Sequence, residues 1–334
     1  MALVILALAA TRLPESRDPQ AHGLDWPGAL LITASLTGIT YGFLESPTHG
    51  FGDPAVLAAL LLGTCLLASF IVVQARTESP MVPLGLFRSS TFAGANLLTL
   101  LLYGALGGAL FFLPLNLVQI QGYSATAAGA ALLPFVLILF VLSRWAGGLA
   151  DRYGVRLPLT VGSSLAALGF ALFALPGAAA SYWLTIFPAA TAFGLGMAVV
   201  VTPLTTTVMN AVDQDHAGTA SGINNAVSRV ATLLAISVLG IVMLSSFGSA
   251  LEAHMARIDL PAEAVAAIRD RRASLAAMSL PPELGDAQRE AVRSAIAEAF
   301  IVGYRAIMAI AAGLALASAG VAWLMIRPAS RGGS

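Results

Sequence analysis

Arg229 sits where a charge is costly. It lies about ten residues into an otherwise apolar run that begins near Thr219, roughly 15 Å along a helix of that sequence. A guanidinium held at that depth either faces a solute pathway or locks onto an acceptor such as Asn225 or a neighbouring helix's carbonyls. A second charged group, WAGGLADRYGVR from Trp145 to Arg156, closes the run LLPFVLILFVLS and places Asp151 beside Arg152 and near Arg156. Its chemistry is electrostatic: ion pairs, or contacts with helix ends. No bond-making constellation accompanies these residues. The chain has no G-x-S-x-G, H-E-x-x-H, Walker loop or C-x-x-C, and GLGMAVVV lacks the third glycine of a dinucleotide fingerprint. The sequence reads as a non-enzyme with no ATP-driven step of its own, no metal site and no bound cofactor.

The elements that hold these residues follow from composition. Of 334 residues, 58% are apolar and only 10% charged, and mean hydropathy is +0.85. Soluble chains usually hold about 45–50% apolar and about 25% charged residues. A soluble helical bundle would need polar stripes at helical period, and most of the runs show none. The expected class is all-α integral membrane. Net charge is zero, with every basic residue an arginine, so nothing marks a nucleic-acid surface. The single cysteine, Cys65, lies in an apolar run and can form no internal disulfide.

Runs long enough to cross a bilayer predict about eight complete spans. They fall at Pro27–Glu45, Pro54–Ala75, Phe92–Gln119, Thr126–Gly147, Leu157–Leu175, Trp183–Pro203, Thr219–Ser245 and Ile301–Ile326. Arginines follow the second, fourth and last spans (Arg76 and Arg88; Arg152 and Arg156; Arg327 and Arg331), and Arg12 and Arg17 precede the first. The connections SPTHGFGD, IQGYSA and PGAAASY carry none. The positive-inside rule then puts the arginine-bearing loops and the C-terminus in the cytoplasm, in a multi-pass protein of the plasma (inner) membrane. The N-terminal MALVILALAA covers about half of a bilayer core. It reads as a signal peptide or as the tail of a longer span; the tail is preferred, because cleavage would leave Arg12 and Arg17 outside.

The acid-and-arginine turn carries a resemblance. G-x-L-a-D-R-x-G-x-R, with Gly147, Leu149, Asp151, Arg152, Gly154 and Arg156 in place, resembles the signature loop of the major facilitator superfamily; Val155 departs from its usual basic residue. Gly147 and Gly148 should allow close helix approach, Asp151 should lie before the next helix, and Gly154 suits positive φ. FGLGMAVVVTP and DQDHAGTASGINNAVSRVATLLAISVLG are similar to later stretches of the fourteen-span drug/proton antiporter branch, though Ala231 and Thr232 replace its paired glycines. RLPESRDP resembles that branch's junction between halves. The resemblance implies the C-terminal half of a major facilitator fold, with a partial N-terminal helix and the N-terminal half missing. The implied organisation is a truncated span at 1–11, a cytoplasmic junction and two linker spans at 12–91, and five bundle spans at 92–245. An extracytoplasmic amphipathic loop at 246–300 and a last span with cytoplasmic tail at 301–334 complete it.

It also implies proton-coupled export of a small hydrophobic or cationic molecule by rocking of two halves around a midplane site. Candidates for the cavity wall are Asn96, Tyr103, Phe112, Asn116, Gln119 and Asn225, with Phe111 beside them; packing or interhelical hydrogen bonding competes at each. No Asp or Glu lies well inside a span, and His22, His49, His216 and His254 all read as loop residues, so a titrating proton carrier is expected in the missing half. Within Phe247–Phe300, two amphipathic helices at the membrane surface are expected. A non-transporting remnant or a module that binds partner helices is the competing reading.

Overall fold

The computed structural model describes residues 25–78, 80–178 and 180–327. The partial span at 1–11, Arg12, Arg17, His22 and Arg331 lie outside them. Eight helices are long and apolar enough to cross a membrane, and the described residues contain no strand.

α1 (Trp26–His49) and α2 (Pro54–Arg76) form an antiparallel pair. Each begins with an aspartate cap followed by proline in the first turn, the arrangement that satisfies orphan amides and fixes φ. Asp53 accepts from the amides of Ala55 at 2.8 Å and Val56 at 3.3 Å. Ser35 donates to the Gly63 carbonyl at 2.8 Å, across a contact that Gly38 and Gly63 keep close. α1 also touches α8, below, which ties the pair to the bundle.

The other long helices are α3 (Ser90–Gln119), α5 (Leu133–Tyr153), α6 (Arg156–Phe173), α7 (Phe187–Asn210), α8 (Ala217–Met255) and α10 (Asp286–Met325), with short α4 (Ala125–Ala130) and α9 (Ala262–Asp270) between them. α10 packs on α3, α6 and α8; α6 packs on α7, and α7 on α5. Glycines permit these approaches. A Cβ on Gly107 would come 2.6 Å from Thr232 Cγ2 on α8, and one on Gly169 would come 2.7 Å from the Phe193 backbone on α7. At Gly147 the nearest atom is Thr202 Cγ2 at 3.6 Å, and Gly148 meets nothing within 4 Å. Close approach therefore lies elsewhere than expected: a Cβ on Gly194 would lie 3.1 Å from Phe135 Cα, so that glycine brings α7 to α5.

Several expected boundaries move. The fourth span is broken at Ala131–Leu132, and α5 runs on to Tyr153, with Gly154 at φ 75° ending it. Asp151 thus lies in the last turn of α5, not before α6, because Ala150–Tyr153 continues the helical hydrogen bonding. α7 continues through Pro203 to Asn210, absorbing half of the expected loop.

The largest difference is in the last two long helices. α8 and α10 hold 39 and 40 residues, about 60 Å each at 1.5 Å rise. The expected second surface helix, DAQREAVRSAIAEAF, is the first part of α10 itself, and His254 is on α8, not in a loop. The extensions enclose an apolar centre with Leu251, Met255, Ile268, Met278, Val292 and Ile296 buried. A His254–Glu298 contact at 3.4 Å and an Arg269–Glu252 ion pair at 3.5 Å dress its surface. This is a folded cap, because the apolar faces find each other before they need lipid.

The Asp25 cap gives a direct test. Its carboxylate accepts from Gly28 N, Gln74 Nε2 and Met81 N, while Gln74 Oε1 accepts from Val82 N. These bonds, Gly28 first and Gln74 next, hold the carboxyl below its ordinary value of 3.8 against a smaller upward push from burial. A depressed carboxyl stabilises the fold above that ordinary value, and the contribution is lost as pH falls through the folded one. Asp25→Ala should cost about 1 kcal/mol locally and speed hydrogen exchange at Met81 and Val82 at neutral pH. The difference from wild type should vanish in strong acid. Unchanged exchange at neutral pH would remove Asp25 as the latch.

Candidate functional site

Ser221, Asn224, Asn225, Ser228, Arg229 and Thr232 recur on α8 at the spacing that stacks side chains on one helix face. A polar stripe of this length on a membrane helix faces water or protein, not lipid. The structure gives it a recess of about 310 Å³, walled by those residues together with Tyr103 of α3 and Thr205 and Val208 of α7.

The stripe is held in register from behind. Asn224 Nδ2 donates to Thr99 Oγ1 at 2.7 Å and to Asn96 Oδ1 at 3.3 Å. Asn96 donates its own amide to Phe92 O at 2.9 Å, and Thr99 its hydroxyl to Ala95 O at 2.9 Å, so both can only accept from Asn224. Asn96 and Thr99 are buried. Beside this clamp the expected loss of glycines at Ala231 and Thr232 is offset from the opposite helix: Gly104 and Gly107 of α3 face those residues and keep α3 and α8 close.

Arg229 projects into the recess and is exposed. The expected lock on Asn225 does not form. Asn225 Nδ2 donates instead to Ser221 O at 3.1 Å, and among the described residues Arg229 has no ion-pair or hydrogen-bond partner. Among the described residues no carboxylate lines the recess. An arginine at the centre of a membrane helix costs about 2.5–3.5 kcal/mol on insertion scales. Its position is explained by a water-filled cavity or a facing protein surface.

The other candidates disperse. Tyr103 and Asn225 join Arg229 in the recess, and Asn96 stands behind it. Phe112 is 3% exposed and packs edge-on to Phe111 at 5.0 Å; it belongs to the core, not to a cavity. Asn116 is buried with Nδ2 unpartnered. Gln119 borders a separate recess under the cap, with Oε1 unpartnered. Ser221, Asn224, Ser228, Thr232 and Thr205 are the polar recess residues absent from the sequence candidates. The i, i+4, i+7, i+11 spacing of Ser221, Asn225, Ser228 and Thr232 was the available signal.

At the end of the bundle carrying Arg88, Arg152, Arg156 and Arg327, the expected Asp151–Arg pairing is absent among the described residues. Arg152 lies 5.9 Å from the Tyr153 ring, and the Arg156 guanidinium stacks over Trp323 of α10 at 3.9 Å. Leu149 and Arg152 line a shallow recess with Trp145 and Val199. At the opposite end Arg305 donates to Ala174 O at 3.0 Å and Leu175 O at 3.4 Å, capping the C-terminus of α6. Those two hydrogen bonds hold it there.

A helical membrane bundle with paired accessory helices and a polar recess on one inner face is the class these observations define. Residues 1–236 match the profile of the Major Facilitator Superfamily, and the chain belongs to that family. Among curated proteins it is 28% identical over 257 residues to "Multidrug resistance protein Stp" of Mycobacterium tuberculosis, covering 77% of this chain and 48% of that one. It is 34% identical over 239 residues to "Cephamycin export protein CmcT" of Amycolatopsis lactamdurans, covering 70% and 49%. It is 28% identical over 329 residues to the "Tetracenomycin C resistance and export protein" of Streptomyces glaucescens, covering 96% and 59%. The chain spans about half the length of the curated relatives it matches.

Proposed function

We propose that the chain forms one half of a small-molecule exporter of the plasma membrane, its C-terminus cytoplasmic, working by alternating access against a second helical half. The observation that carries this is the recess on α8. It puts an arginine with no partner among the described residues, and a line of amides and hydroxyls, on a face of the bundle that the described residues leave open. The family and the printed names of the relatives support export as the direction and small organic molecules as the cargo. Proton coupling is part of the proposal, with the carrier in the second half. The acids in the long helices of this chain lie near helix ends or in the cap extensions, as Glu45, Asp151, Glu252 and Glu298 do.

Deleting the gene in its own cells tests the reading with the protein as it exists. Retention of a lipophilic fluorescent antibiotic should rise. Restoring the gene should lower it again, and an uncoupler should abolish that recovery. Unchanged retention across a panel of lipophilic compounds would favour the non-transporting remnant instead.

A further inference from the structure

We propose that the α8 recess binds the anionic group of the transported molecule, a carboxylate held by the Arg229 guanidinium. This rests on the exporter reading above and fixes the charge class of its cargo. Among the described residues the recess holds one formal charge, that of Arg229, and no acid lines it. The neighbouring donors are accounted for one by one. Ser228 gives its hydroxyl proton to Asn225 O at 2.8 Å, Thr232 to Ser228 O at 2.9 Å and Thr205 to Val201 O at 3.1 Å. Asn224 spends its amide on Asn96 and Thr99. What remains facing the recess is the guanidinium fork together with the Tyr103 and Ser221 hydroxyls, neither of which has a partner among the described residues.

A planar fork with a hydroxyl beside it matches the two oxygens of a carboxylate. The lone pairs left on Ser228, Thr232 and Thr205 can accept from hydroxyl or amide groups elsewhere on the same molecule. A cation entering the recess would meet like charge in a medium where screening is weak. The cationic cargo expected from the resemblance is therefore disfavoured at this wall. The volume, about 310 Å³, suits one end of a small molecule.

Rhodamine B and its ethyl ester share one ring system and differ in a free carboxylate, so the pair isolates the group in question. Binding of each to the full chain in lipid nanodiscs would be read by fluorescence polarisation, in wild type, Arg229→Gln and Arg229→Lys. Wild type should prefer rhodamine B. Arg229→Gln should weaken rhodamine B about tenfold or more, since hydrogen bonds to charged groups are the strong ones, and leave the ester unchanged; Arg229→Lys should fall between. Retained ester binding shows that the variant is folded. Equal binding of the two dyes to wild type, or a parallel loss of both in Arg229→Gln, would overturn the proposal; the parallel loss would assign Arg229 to a carboxylate within the protein. Export is read separately, by retention of both dyes in the deleted and restored cells. Selective, Arg229-dependent binding with no change in retention would leave the anion site standing and remove the exporter reading.

Discussion

Gly196→Val is expected to separate α6 from α7 and leave little folded protein in detergent. A Cβ at Gly196 would lie 2.6 Å from the Gly162 carbonyl oxygen and 2.9 Å from Ala166 Cα, and nearer still to the Ala166 nitrogen. Those are backbone atoms of a packed helix, so no side chain can swing aside. Overpacking in a well-filled core costs about 1–3 kcal/mol where side chains can adjust, and here the helices themselves must part. Association of membrane helices depends on such close contacts, since lipid is as apolar as the helix faces. The measurement is thermal stability by fluorescence-detected size exclusion. Gly148→Ala is the control: nothing lies within 4 Å of its Cβ, and removing a helical glycine should stabilise by about 0.5–1 kcal/mol. A Gly196→Val protein that melts with wild type would mean the seam is looser than drawn.

Asn224→Leu should have the next largest effect, and its pattern is more informative than its size. The change leaves the buried Asn96 Oδ1 and Thr99 Oγ1 without the donor they share. A buried group stripped of its partner costs about 1–3 kcal/mol, while interhelical bonds in membranes average about 0.6 kcal/mol, so a loss near 1 kcal/mol is expected. Replacing all three with apolar residues, Asn224→Leu with Asn96→Leu and Thr99→Val, should recover most of it, because no group is then left unsatisfied. A triple variant less stable than the single would show that the network does not act as a unit. The single variant should also weaken whatever binds Arg229, since the clamp sets the rotation of α8 that aims it.

The eight spans were legible because a bilayer demands long apolar runs, and those runs are unmistakable in this composition. Their ends were not. Hydropathy stops reporting where a helix leaves lipid, so the charged first part of α10, from Asp286 to Phe300, looked like a separate surface helix. In the same way Ala150–Tyr153 looked like loop because it is polar, although only Gly154 has the φ that stops α5. Within the site, Arg229 announced itself by charge. Asn224 did not, since an asparagine in a span has two common uses and only the partner helix decides between them. Phe112 shows the limit from the other side: the period of α3 cannot say which of two adjacent aromatics turns inward, and the structure buries Phe112 while exposing Phe111.

α8 runs unbroken from its polar stripe to the cap, with about 26 residues, or about 39 Å of helix, between Arg229 and Met255. A rigid rod of that length acts as a pointer. If it tilts by about 10° near Arg229, its far end sweeps about 7 Å, by simple geometry on the 1.5 Å rise. Events at the recess are therefore written large at the cap, where spin labels can record them without touching the site.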